Sequence, residues 1–319
     1  MMEKIKKMRQ GIAESDAKRD AGLAIPEDVT RYVDLTYGPY PENLLDVYCP
    51  KGTGQKLPTI VSIHGGGWFY GDKELYSHYC MRLAQRGFTG VNFTYRLAPE
   101  YQYPAPLQDI CAVMRWMQAN AEEYFIDLDN VFMLGDSAGG QLCHQVLTML
   151  TNPKYAALFD FGTPEGFAVN ACALNCGCYF LPFNRLVSPK RCGVTFEAYI
   201  PADYVPLLKQ LKPEKYATKD FPPAIVMSAA NDFLKFMAKP MYRLLRDTIQ
   251  ERFLHLPCIP TLMPSDSDAR HYSGLSDCVL RFAPIVTGAE GGGNTHMGDE
   301  FLAEDSLGIA VELYRSLMK

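Results

Sequence analysis

The chain has 319 residues, 48% of them hydrophobic and 21% charged, and a formal net charge of −5. That length and apolar content suffice for a large core in one elaborated domain or two, while the negative balance and the lack of a basic stripe argue against a nucleic-acid partner. No apolar run reaches the roughly 20 residues of a membrane span, and the opening Met1-Met2-Glu3-Lys4-Ile5-Lys6-Lys7-Met8 lacks the apolar core of a secretory signal, so a cytoplasmic location is expected.

Taken in chain order, Ile5, Met8 and Ile12 stand at helical spacing, which suits either a short amphipathic helix or a solvated tail. Thr59-Ile60-Val61-Ser62-Ile63 has the look of a buried strand, and His64-Gly65-Gly66-Gly67-Trp68 follows it. Glycines there let backbone N–H groups aim at a developing oxyanion with no Cβ in the way. A second buried-strand run, Val131-Phe132-Met133-Leu134, leads into Gly135-Asp136-Ser137-Ala138-Gly139, and residues 141–151 then carry apolar positions at helical spacing. Gly-x-Ser-x-Gly between a strand and a helix puts a serine on a sharp turn whose neighbours must be small. Each motif alone arises by chance. In this order, each after a strand, they describe an oxyanion hole and a serine nucleophile.

Residues 151–221 are rich in Tyr, Phe and Pro and poor in helical periodicity; one sheet strand, 171–181, with cap elements around it is expected. Tyr179, Phe180, Phe183, Phe196, Tyr199 and Tyr204 are candidate pocket residues there, with plain core packing as the alternative. The run 223–230 reads as a buried strand that ends near Asp232, with a helical pattern from about Lys235. A carboxylate at that tip can accept from an imidazole N–H and fix its tautomer, or else cap the helix. Chain order in such a site is Ser, then Asp or Glu, then His. Of six histidines (His64, His78, His144, His255, His271 and His296) the last three follow Asp232. The tail predicts a helix over 235–251, strands over 258–263 and 278–285, a short helix over 269–275, a glycine-rich loop and a helix over 304–318. His271 follows the first strand after Asp232 and His296 lies in an open loop before the last helix, so the base is His296 or His271, or neither completes the triad. Ten cysteines are scattered through apolar segments, and only Cys172, Cys176 and Cys178 cluster, without zinc-ligand spacing. Buried thiols in a reducing compartment account for them.

Residues 34–245 resemble the hormone-sensitive-lipase-like branch of the α/β-hydrolases, a family of carboxylesterases. The resemblance rests on the two motifs above, on Asp34-Leu35-Thr36-Tyr37-Gly38 with Leu45-Asp46-Val47-Tyr48, on Tyr95-Arg96-Leu97-Ala98-Pro99-Glu100, and on Pro104-Ala105-Pro106 with Asp109 and Trp116. It implies an α/β fold with a mostly parallel central sheet, helices on both faces and a helical cap that the N-terminal helix joins. It also implies Ser137 as nucleophile, the N–H groups of Gly65, Gly66 and Ala138 as oxyanion donors, and a structural or orienting His64 that is not the base. In that family the base is a His followed closely by Phe, and this chain has no such motif after Asp232.

Residues 242–319 resemble instead the C-terminal part of the catalytic domain of dinuclear-zinc exopeptidases and aminoacylases, through Cys258-Ile259-Pro260-Thr261-Leu262-Met263, Ser267-Asp268-Ala269-Arg270-His271-Tyr272, Val279-Leu280-Arg281-Phe282-Ala283-Pro284 and Asn294-Thr295-His296-Met297-Gly298-Asp299-Glu300. The expected organisation is a core over 1–245 and a C-terminal α/β segment over 246–319 that came from another gene. A histidine at the position of His296 is a zinc ligand in that family, but the first 240 residues hold no matching ligand cluster, so neither metal nor cofactor is expected. The expected function is hydrolysis of short-chain carboxylic esters through an acyl-enzyme, with a small-molecule ester as partner. The alternatives are an impaired or ligand-binding protein on the same fold, and a serine amidase or peptidase.

Overall fold

The computed structural model describes residues 1–227 and, apart from them, the strand pair 292–293 with 301–302. The strands β1 (Val29–Thr36), β2 (Leu44–Pro50), β3 (Leu57–Ile63), β4 (Thr89–Phe93), β5 (Ile126–Asp136), β6 (Ala171–Asn175) and β7 (Ala224–Met227) make one sheet in the order β1-β2-β4-β3-β5-β6-β7. β2 runs antiparallel to both its neighbours, and the five strands from β4 to β7 are mutually parallel. Every residue of β4 is buried, as in a strand covered on both faces, whereas the edge strand β1 alternates toward solvent.

Helices α2 (Ser77–Ala84), α3 (Ala105–Asn120) and α4 (Ala138–Thr151) are the crossovers from β3 to β4, β4 to β5 and β5 to β6. The first travels one way along the sheet and the other two travel the opposite way. Right-handed crossovers therefore put α2 on one face and α3 with α4 on the other; α2 packs on β2 and β4, and α3 packs on α4. Because the chain leaves adjacent β3 and β5 in opposite directions, a crevice opens at their C-terminal ends. The fold is that of an α/β-hydrolase. Its core runs through Val61, Val91, Met114, Leu142 and Leu147, all fully buried.

Helix α1 (Met2–Asp20) is docked, not a solvated tail. Ile5 is buried, Met8 and Ile12 pack against the core, and Arg9 donates to the carbonyls of Phe69 and Ala98 at 2.7 Å each while pairing with Glu100. The cap contains the short helices α5 (Pro153–Ala156), α6 (Pro189–Cys192) and α7 (Val194–Tyr199). One expected element is shorter than its apolar run suggests: β6 stops at Asn175, not at residue 181. Cys176 turns to a φ of 45°, and Gly177 lies so close to the Tyr179 ring that no Cβ fits. The apolar run continues because the turn itself is buried, Cys178, Tyr179 and Leu181 being at most 3% exposed. Strand β5 is longer than its apolar stretch, with a register shift between Pro58 and Thr59 of its partner β3. In the glycine-rich stretch of the tail, β8 (Gly292–Gly293) pairs antiparallel with β9 (Phe301–Leu302). Asp232, His271, His296, the other tail elements and the division at residue 245 lie outside the described residues.

Candidate active site

Ser137 stands at the C-terminal end of β5 and the start of α4 with φ 53° and ψ −112°. A non-glycine residue held there carries strain of about 1–3 kcal/mol, which the surroundings must enforce. Its N–H donates to the Asn175 carbonyl at 2.8 Å and its carbonyl accepts from Gln141 N, opening the helix. A methyl group at Gly135 would collide with the Gly139 backbone, and one at Gly139 with the carbonyl of Ile63, so strand, turn and helix meet at a spacing that only glycines permit. Ser137 itself stays partly accessible, at the N-terminus of a 14-residue helix whose dipole favours negative charge.

The glycine run after β3 lies against this turn. A methyl at Gly65 would stand 3.0 Å from the Asp136 carbonyl oxygen and carboxylate and 3.4 Å from Ser137 Cβ. Gly66 takes φ 104°, and its carbonyl accepts from the N–H groups of Phe69 and Tyr70, closing a tight turn. Gly66 and Gly67 are partly accessible, while Gly65 is buried. The hydroxyl of Tyr76 donates to Asp136 Oδ2 at 2.7 Å. Tyr76, absent from the sequence motifs, thus ties the start of α2 to the residue before Ser137. Burial and the neighbouring carboxylate push its hydroxyl pKa far up, so it stays protonated.

His64 is fully buried, donates through Nδ1 to the Gly65 carbonyl at 2.7 Å and stacks on Tyr95 at 4.1 Å. Burial lowers its pKa to about 4, so the ring is neutral. Locked in this way it orients the loop and cannot exchange protons with a substrate.

Over the glycine run sits the cap. Thr195 of α7 approaches Gly67, and Trp68 stacks face to face on Tyr199 at 4.8 Å and packs tilted on Phe196. Tyr179, Phe183, Phe196, Tyr199 and Tyr204 all belong to the buried core, with Phe180 half-buried against it. Core packing, the plainer of the two readings, is what these side chains do. The polar residues that sequence reasoning missed are Tyr76, Gln141 and Gln145. The last two had a signal: amides four apart on one face of helix α4.

A separate cavity of about 750 Å³ lies under α1, and Ser137 is not among its lining residues. Its carboxylates include Asp16, Asp20 and Glu100, which pair with Arg19 and Arg9. Among the described residues no group of three or more His, Cys, Asp or Glu could hold a metal, and no helix is long and apolar enough to cross a membrane. Cys49, Cys80, Cys111, Cys143 and Cys192 form no disulfide among the described residues; burial pushes the Cys80, Cys111, Cys172 and Cys178 thiols up to about 12.

Comparison with known proteins agrees with this architecture. Versiconal hemiacetal acetate esterase of Dothistroma septosporum is 37% identical over 115 residues, 36% of this chain and 35% of that protein. Carboxylesterase NlhH of Mycobacterium tuberculosis is 36% identical over 125 residues, 38% of this chain and 36% of that protein. This chain therefore spans only about a third of the length of these two curated relatives. Among solved structures, esterase B from Lactobacillus rhamnosis, described with a tributyrin phosphonate, superposes with a TM-score of 0.62 at 26% identity, covering 77% of this chain and 79% of that one. The BD-FAE family model matches residues 45–235, from β2 through the nucleophile-type turn and past β7, and the chain belongs to that family of the α/β-hydrolases.

Proposed function

We propose that this chain is a serine carboxylesterase that hydrolyses short-chain carboxylic esters through an acyl-enzyme. The observation that carries the reading is Ser137 held at φ 53° on the turn between β5 and α4, in contact distance of the glycine run after β3. Relatives and structural neighbours are named esterases, and a tributyrin phosphonate accompanies one of them.

In this reading Ser137 Oγ attacks the ester carbonyl. His296 or His271 takes the proton and returns it to the leaving alcohol, while Asp232 orients that histidine and stabilises its charged form. The oxyanion donors are the N–H groups of Gly65, Gly66 and Ala138, each worth about 3 kcal/mol of transition-state stabilisation. The proposal needs no cofactor and no partner beyond a small-molecule ester, and it sets the enzyme in the cytoplasm. It also includes a foreign origin for residues 246–319; one continuous esterase reading frame across codons 235 to 260 of the source locus would overturn that part. The missing His-Phe motif favours one rival, an impaired protein that binds esters without turning them over.

The test is hydrolysis of p-nitrophenyl esters from acetate to octanoate by the purified chain beside Ser137→Ala, His271→Ala and His296→Ala. Expected are fastest turnover at the short acyl lengths, a loss of about 10⁶ in kcat on Ser137→Ala and a comparable loss on one histidine change alone. Activity no higher than that of Ser137→Ala would establish the impaired protein instead.

A further inference from the structure

Trp68, the residue directly after the glycine run, is fixed by a chain of buried hydrogen bonds that has only one possible direction. Trp68 Nε1 donates to Gln141 Oε1 at 3.1 Å, Gln141 Nε2 to Gln145 Oε1 at 2.7 Å, and Gln145 Nε2 to the Gln210 carbonyl at 2.7 Å. An indole N–H only donates and a backbone carbonyl only accepts, so the two amides between them are oriented from both ends. Turning either one over would set donor against donor or acceptor against acceptor. The hydroxyls of Tyr103 and Tyr155 close around Gln145 Nε2 at 2.8 and 3.0 Å. Both glutamines are buried, Gln141 at 1% exposure and Gln145 at 0%, on a helix that also buries His144 and Thr148.

Three parts of the molecule meet in this chain. Trp68 belongs to the loop that carries Gly65–Gly67, Gln141 lies one turn into the helix that begins at Ala138, and Gln210 belongs to the cap between α7 and β7. Trp68 also holds φ 64°, a sparsely populated conformation for a bulky residue, so outside contacts must keep it there. Its carbonyl accepts from Ala98 N at 2.8 Å, its ring lies flat on Tyr199, and its one polar side-chain atom is spent on Gln141.

We propose that Gln141 is a positioning residue: by holding the Trp68 indole it sets where the backbone amides of the glycine run stand relative to Ser137, and through Gln145 and Gln210 it ties that setting to the cap. The inference rests on the esterase reading above and adds to it a residue that touches no substrate.

The chain has two tryptophans, Trp68 and Trp116, so an ¹H–¹⁵N spectrum carries two indole N–H signals, which Trp116→Phe assigns. Gln141→Leu should move the Trp68 signal upfield and leave that of Trp116 in place. The same variant should lower kcat on p-nitrophenyl butyrate about tenfold with KM within about twofold, as expected when transition-state alignment is lost and ground-state binding is kept. Trp68→Phe keeps the ring and deletes the donor, and should reproduce the kcat loss. The double variant should be no slower than either single one, since both cut the same link. Wild-type kcat in Gln141→Leu, or two losses that multiply, would overturn the proposal. Should Gln141→Leu fail to fold, Trp68→Phe at wild-type kcat would overturn it alone. A wild-type chain that neither turns over esters nor is labelled at Ser137 by a fluorophosphonate removes the esterase reading and this proposal with it. An active wild type indifferent to both changes removes the proposal alone.

Discussion

Around Ser137 the chain is held mainly backbone against backbone: Gly135 meets Gly139 and Gly139 meets Ile63 with no side chain between, and Gly65 meets the carbonyl as well as the carboxylate of Asp136. Over Trp68 the molecule is held by side chains, with Trp68 on Tyr199 and Phe196, Phe183 on Phe196 and Tyr204, and glutamines threaded among tyrosines. A contact made of main chain has no rotamers with which to absorb added volume, whereas an aromatic cluster can repack. The elbow therefore fixes where Ser137 stands, and the cap is the part that can change shape and size without moving it.

The largest effect that follows is at Gly139. Its added methyl would have to displace the main chain of β3, so Gly139→Ala is expected to cost about 3 kcal/mol in urea unfolding. The shift it forces between β3 and α4 should also lower kcat about 100-fold. Stability within 1 kcal/mol of wild type would mean that the elbow repacks as freely as the cap, and the contrast would fail.

Acid should sharpen the contrast through two buried histidines. Among the described residues His64, in the elbow region, has one hydrogen bond, and His144, on the cap side of α4, meets the edges of Tyr179 and Phe221 while its Nδ1 has no partner. Burial lowers both pKa values from 6.5 to about 4. The folded chain thus keeps them neutral while the unfolded chain takes up protons below about pH 6.5, so their contribution is complete above that pH and is lost as pH falls toward 4. At pH 5 the loss is about 2 kcal/mol for each. His144→Leu should remove its share, flattening urea midpoints between pH 7 and pH 5 without disturbing the glycine run. A pH dependence unchanged from wild type would show that His144 is not held neutral by burial.

The same division explains what could be read from the sequence. Strands β3 and β5 and the turns after them were legible because main-chain contacts leave a trace in composition: glycine is the only residue that fits. Aromatic packing leaves no such trace, so Tyr199 was open to either reading, pocket or core, with core the more common, and the apolar run 171–181 read as one strand although its second half is a buried turn. Tyr76 was invisible because its partner Asp136 lies 60 positions away in the chain. Gln141 and Gln145 were visible as polar residues at helical spacing, but their partners Trp68 and Gln210 lie 73 and 65 positions away.

The smallest effect separates two tyrosines of the cap side by sign. Tyr199 is fully buried with a hydroxyl that has no partner among the described residues, while its ring carries the stack on Trp68 and an edge contact with Tyr103 at 5.9 Å. The hydroxyl of Tyr155 sits within 3.0 Å of Gln145 Nε2 and donates to the Gln210 carbonyl. Deleting an unpaired buried hydroxyl relieves a desolvation penalty, and deleting a paired one leaves its partners short of a bond. Tyr199→Phe should therefore raise the unfolding free energy by about 1 kcal/mol, and Tyr155→Phe should lower it by about as much. Matched urea titrations at pH 7 read both. If the two changes shift stability in the same direction, the hydroxyls are equivalent and the cap is held by ring packing alone.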